Sequence, residues 1–236
     1  MTARKLDIQI QTSEGAFSAY LSAPEVTNGV AIVLLQEIFG VNQNIRSIAD
    51  GLAEGGYAVV APDLFWRVAP GIQLDPATGQ GREQAVELMK QLDRDQAVSD
   101  GNAALAALHD TLIGLERSVA LGYCFGGGVA FLMAARGCVD AGVAYYGTGL
   151  QDLLSELRGD EPRMLLHIAG EDHLCPPEAQ RQIQQAAAAV GEAVEVVVHP
   201  GVGHAFARRG GAAYDQSAAQ RADARTAELL ASMIPA

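Results

Sequence analysis

Apolar and polar residues alternate through Leu6-Asp7-Ile8-Gln9-Ile10 and again through Phe17-Ser18-Ala19-Tyr20-Leu21. Alternation with period two marks a half-buried strand. The Ser13-Glu14-Gly15 segment between the two runs predicts an antiparallel pair closed by a tight turn. The pattern then changes. Gly29 to Leu35 is continuously apolar, as a strand covered on both faces must be. Ile45, Ile48, Ala49, Leu52 and Ala53 recur at helical spacing, and Gly55-Gly56 ends that helix. Tyr57-Ala58-Val59-Val60-Ala61 reads as the next strand, stopped by Pro62. Residues 63 to 80 follow no period and contain Trp66, Pro70 and Pro76; an irregular stretch of this length is usually functional. From about Arg82 to Leu112 the spacing is helical again, with a break expected near Ser99-Asp100-Gly101.

The second half repeats strand and helix. Val119-Ala120-Leu121 reads as a short buried strand and Val129 to Ala135 as a buried helix. Strands are expected at Val139 to Tyr146, Met164 to Gly170 and Val194 to Val198. Helices are expected near Pro177 to Val190 and from about Tyr214 to Met233. Such alternation predicts the α/β class: a mostly parallel, doubly wound sheet with helices on both faces. Residues 1–236 are expected to form one domain, with no internal repeat and no low-complexity linker.

Composition narrows the classes. Apolar residues make up 49% of the chain, the level of an ordinary globular protein. The N-terminus lacks an apolar signal core and no segment is apolar for long enough to span a bilayer, so a cytoplasmic protein is expected. Three cysteines, Cys124, Cys138 and Cys175, suit a reducing compartment rather than a disulfide scaffold. A net charge of −12 repels nucleic acid and anionic membranes. It also repels an anionic substrate, which would need local arginines.

The candidate chemistry centres on Gly122-Tyr123-Cys124-Phe125-Gly126-Gly127-Gly128, between a predicted strand and a predicted helix. A strand that turns sharply into a helix strains its turn residue, and glycines two before and two after it remove the Cβ clashes. The layout is that of a nucleophile elbow with cysteine in place of serine. It leaves the thiol at a helix N-terminus, where the macrodipole favours the thiolate. A buried structural cysteine beside a glycine-rich turn is the inert alternative.

An elbow nucleophile needs an acid and then a histidine further along the chain. Asp172 follows the predicted strand Met164 to Gly170. His204 lies in the loop His199-Pro200-Gly201-Val202-Gly203-His204 after the last strand. Both sit just past strand C-termini, where open α/β sheets place their ligands. Read singly, Asp172 is a turn carboxylate and His204 a loop histidine; their order and context favour a triad. Glu37 directly follows a buried strand, where a carboxylate needs a partner unless the loop exposes it. His167, His173 and Cys175 match no common zinc spacing. The glycine run lacks the ending of a phosphate cradle. No metal and no cofactor are expected.

These residues resemble the dienelactone hydrolase (carboxymethylenebutenolidase) family, cysteine-dependent members of the α/β-hydrolase fold. The resemblance runs from about residue 6 to residue 230. It is carried by Gln36-Glu37-Ile38-Phe39-Gly40-Val41-Asn42, Ala61-Pro62-Asp63-Leu64, Gly81-Arg82-Glu83-Gln84-Ala85 and the elbow. Tyr145-Tyr146-Gly147, Gly170-Glu171-Asp172-His173 and Gly203-His204-Ala205-Phe206-Ala207-Arg208 complete it. It implies a triad of Cys124, Asp172 and His204, and a Glu37 carboxylate that exchanges between the cysteine and Arg208. It further implies an oxyanion hole from the Ile38 and Phe125 amides, and substrate contacts from Arg82, Arg208, Phe39 and Tyr145. The implied substrate is a small anionic lactone, taken by a monomer. The chain departs from the family at Val86 and Met89, where aromatic residues line the pocket, at Phe125 in place of a leucine-sized residue, and at Ala205 in place of a serine. Two rivals remain open: an esterase or lactonase for another small ester, and a non-catalytic ligand-binding or thiol-sensing relative.

Overall fold

The apolar run predicted to be covered on both faces is so: every residue of β3 (Val30–Leu35) is 0% exposed in the computed structural model, which describes residues 4–235. The other strands are β1 (Arg4–Thr12), β2 (Gly15–Ala23), β4 (Ala58–Pro62), β5 (Arg117–Tyr123), β6 (Ala141–Tyr145), β7 (Arg163–Ala169) and β8 (Val194–His199). Among the described residues there are six α-helices: α1 (Gln43–Glu54), α2 (Gly79–Met89), α3 (Arg94–Thr111), α4 (Phe125–Ala135), α5 (Pro177–Ala189) and α6 (Gln216–Ser232). The strands form one sheet in the order β1-β2-β4-β3-β5-β6-β7-β8. β1 pairs antiparallel with β2, and β2 with β4. β3–β4, β6–β7 and β7–β8 are parallel. No described helix is long and apolar enough to cross a membrane.

Contacts divide the chain into two compact units, 1–119 with 234–236 and 120–233. In the first, α1 and α3 lie against β4, and the irregular segment after β4 is tied down. Asp63 accepts from the amides of Phe65 at 2.9 Å and Gly71 at 2.7 Å. Trp66 stacks on Phe17 at 5.6 Å. Leu74 N–H donates to the carbonyl of Phe39. Gly40 explains the last residue of the Gln-Glu-Ile-Phe-Gly turn: its φ is +78°, and a Cβ there would lie 1.9 Å from the carbonyl oxygen of Ile72.

The break in the long helical stretch falls at 90–93 rather than at Ser99-Asp100-Gly101. Asp93 caps α3, accepting from Gln96 N–H at 2.9 Å. Asp100 and Gly101 instead lie buried in the middle of α3. Asp100 is the buried acceptor for Trp66 Nε1 at 2.9 Å and Arg67 Nη1 at 2.7 Å. What reads locally as a turn signal is a paired interior carboxylate.

In the second unit α4 lies on β6, α5 on β8 and α6 on β7. All eleven residues of α4 are buried, so the helix is apolar all round. Predicted and observed bounds of β6, β7, α5, β8 and α6 differ by at most two residues at either end.

Candidate active site

The elbow is strained as its sequence predicts. Cys124 has φ 55° and ψ −117°, a conformation few non-glycine residues adopt. A Cβ on Gly122 would sit 2.0 Å from the carbonyl oxygen of Gly126, so only glycine lets the strand and helix approach this closely. The strain is held by backbone bonds on both sides: Cys124 N–H donates to Tyr145 O, and Cys124 O accepts from Gly127 N–H and Thr148 N–H, each at 3.0 Å. Cys124 occupies the N-cap of α4 without a side-chain capping bond, so the thiol is not consumed by the helix end. It is 4% exposed.

Asp172 and His204 meet within the same unit. Nδ1 of His204 donates to Oδ2 of Asp172 at 2.7 Å, while Oδ1 accepts from Leu174 N–H at 2.9 Å. The acid turn is pinned to the histidine loop, because Gly170 N–H donates to His199 O and Glu171 N–H to Val202 O. Nε2 of His204 is buried and completes no well-aligned hydrogen bond among the described residues. Burial disfavours the imidazolium, but hydrogen bonding and charge from Asp172 and Cys124 outweigh it and push His204 up to about 10.

The remaining predicted residues are placed as follows. Glu37 is 1% exposed, a buried carboxylate rather than an exposed one, and it lies two residues past the end of β3 with Ile38 next to it. Phe39 is 5% exposed. Arg82 lies exposed on the first turn of α2, and its Nη1 donates to the carbonyls of Pro76 and Ala77. Val86 is 40% exposed on the same helix. Arg208 is half-buried on the turn after His204. Tyr145 lies at the end of β6. It is 1% exposed; its hydroxyl donates to Asp223 at 3.0 Å and shares a 2.8 Å hydrogen bond with the Thr226 hydroxyl on α6. Its neighbour Tyr146, at φ 39°, turns its ring edge-on to His204 with centroids 5.1 Å apart. Successive residues at a strand end point opposite ways, so the tyrosine beside the histidine is the second of the pair.

One buried polar chain was not legible in the sequence. His199 Nε2 faces His167 Nδ1 at 3.1 Å, His167 Nε2 faces Thr226 Oγ1 at 3.0 Å, and Thr226 continues to Tyr145. Its members come from β6, β7, β8 and α6, so no local spacing announces them.

The profile of the dienelactone hydrolase family matches residues 17–234. The chain belongs to that family. It is a carboxymethylenebutenolidase-like hydrolase, 37% identical over 225 residues to a carboxymethylenebutenolidase of Pseudomonas putida, covering 95% of each chain. Another relative is a carboxymethylenebutenolidase of Cupriavidus pinatubonensis, 36% identical with 93% of each chain covered. The fold is that of α/β-hydrolases. It superposes with a TM-score of 0.76, at 21% identity and 99% coverage of both chains, on a dienelactone hydrolase-like promiscuous phosphotriesterase from metagenomic libraries.

Proposed function

We propose that the protein opens the ring of a dienelactone, an enol lactone carrying a carboxylate, to give maleylacetate through a thioester on Cys124. The observation that carries this is the strained elbow that sets Cys124 at the N-terminus of α4, together with the 2.7 Å bond by which Asp172 holds His204. A histidine raised so far is protonated at neutral pH, and an imidazolium next to sulfur favours the nucleophilic thiolate.

The reaction balances in two stages. Cys124 Sγ bonds to the lactone carbonyl carbon, and the oxyanion is received by the backbone N–H groups of Ile38 and Phe125. Collapse breaks the ring C–O bond, and the enolate takes the proton from His204. Once sulfur is esterified, its charge no longer supports the imidazolium, so His204 becomes a base. It then takes a proton from water, whose oxygen attacks the thioester carbonyl; the C–S bond breaks and the thiolate returns. The enol product becomes the ketone. Glu37 exchanges between the sulfur and Arg208 as substrate enters, and Arg82 and Arg208 receive the substrate carboxylate.

Intact-protein mass spectrometry after rapid acid quench tests the reading. Mixing with dienelactone should add the substrate mass to the wild-type chain and none to Cys124→Ala. Turnover by the wild type with no adduct on Cys124, under conditions where thioester hydrolysis limits the rate, would overturn it.

A further inference from the structure

Gln180 lies on the first turn of α5, where a polar side chain ordinarily faces water; here it is 8% exposed. Its Nε2 donates towards three backbone carbonyls: Cys175 at 2.9 Å, Gly170 at 3.1 Å and Ala169 at 3.4 Å. Those carbonyls flank Asp172, with Ala169 and Gly170 on the strand side and Cys175 on the helix side. One amide group therefore clasps both ends of the acid turn. Inside the clasp the turn is closed by Asp172 N–H to Ala169 O at 3.3 Å and by Cys175 N–H to Asp172 O at 3.1 Å. The side chain of Asp172 then has its Oδ1 fixed by Leu174 N–H, which leaves Oδ2 for His204.

From this clasp we infer that Gln180 is a positioning residue of the triad, setting where the Asp172 carboxylate stands against His204. The inference rests on the proposed role of Asp172 and His204 above. The physical case is accounting. The carbonyl of Ala169 already accepts from Asp172 N–H, and the Gln180 amide is the donor that ties it to the carbonyls of Gly170 and Cys175 across the turn; a buried carbonyl that loses a donor is costly. Remove the donor and the turn must shift to find water. An aspartate–histidine bond of 2.7 Å does not survive a displacement of an ångström, and misplacement on that scale costs catalysis about 100-fold. The effect runs through His204, since Asp172 is what keeps its imidazolium against burial.

The test compares wild type, Gln180→Met, Gln180→Glu and Asp172→Asn on dienelactone and on an activated aryl ester. Methionine keeps the length and apolar stem without a donor; glutamate keeps the shape and presents acceptors to acceptors. Both glutamine variants should lose about 10- to 100-fold in kcat with little change in KM. The alkaline limb of kcat/KM, which reports His204, should move to lower pH. The glutamate variant should recover relative to the methionine variant as pH falls and its carboxyl gains a proton to donate. A lowered melting temperature with unchanged kcat and an unmoved alkaline limb in the folded variants would overturn the inference. If Asp172→Asn were itself fully active, the triad reading would fail instead, so the two failures are separable. Should Gln180→Met not fold, the position of the limb in Gln180→Glu decides.

Discussion

Nδ1 of His167 and Nε2 of His199 share a single hydrogen bond of 3.1 Å in the interior. One ring donates and the other accepts, so the accepting ring must be neutral and the pair can carry at most one charge. Burial, together with the charges of His199 and Arg225, drops His167 to about 3. Burial and Arg221 lower His199 as well. An unfolded histidine titrates near about 6.5. Below that pH the unfolded chain binds protons that the native state refuses, so stability falls as pH drops from about 6.5 towards 3, by about 1.4 kcal/mol per pH unit for each proton withheld. His167→Gln should flatten the acid side of a urea-denaturation profile by about one proton. An unchanged slope would show that the pair is not what the native state protects.

His204 has the opposite sign. Its proton is held up to about 10 by Asp172 and Cys124. The alkaline limb of kcat/KM should therefore lie far above the ordinary histidine range. Asp172→Asn should bring it down and cut kcat by about 10⁴-fold, the size found where a triad aspartate becomes asparagine. Stopped-flow pH profiles of the folded variant check both.

Gly122→Ala should be severe despite adding one methyl. Its Cβ would meet backbone of Gly126 and Gly127, at 2.0 Å to oxygen and 2.8 Å to nitrogen, and backbone cannot swing aside as a side chain can. A loss of at least about 1–3 kcal/mol is expected, with a larger loss of turnover because the elbow opens. Thermal melting alongside kcat separates the two.

Arg82→Ala should raise KM for carboxylate-bearing lactones about 10- to 100-fold and leave neutral esters nearly untouched, as expected for loss of a charge-assisted hydrogen bond. Its present acceptors, the carbonyls of Pro76 and Ala77, are exposed and can turn to water. Equal changes for both substrate types would assign Arg82 to the loop instead.

A sulfur nucleophile also makes the leaving group decisive. The unperturbed thiol has a pKa of about 8.5, far below that of an alcohol. A tetrahedral adduct with an alkyl ester therefore expels sulfur before alkoxide, while an enolate or phenolate competes well. Rates on esters matched in acyl group should rise as leaving-group pKa falls. A flat series with chemistry rate-limiting would contradict thiolate attack.

Element types were legible throughout the chain because period two, period 3.6 and continuous apolar runs are direct consequences of which faces are covered. The elbow was legible because glycine spacing and backbone strain are local. The break at 90–93 was not, because Asp100 and Gly101 look like a turn until Arg67 and Trp66 arrive from another element to neutralise the carboxylate. For the same reason Gln180 and the His167–His199 pair escaped sequence reasoning. Each is a polar group whose partners lie on different elements, and no spacing along one segment records that.

Helix α4 and the last five residues of β5 are buried without exception. Amides so enclosed exchange with solvent deuterium only when the whole unit opens, whereas the turns around Glu171 and Gly201 reach solvent through small local openings. The two halves of the proposed triad are thus expected to open at different free energies. On warming, the histidine and its acid should come apart while the elbow is still closed around its sulfur, so inactivation precedes melting and the thiol stays sheltered from oxidants in that interval.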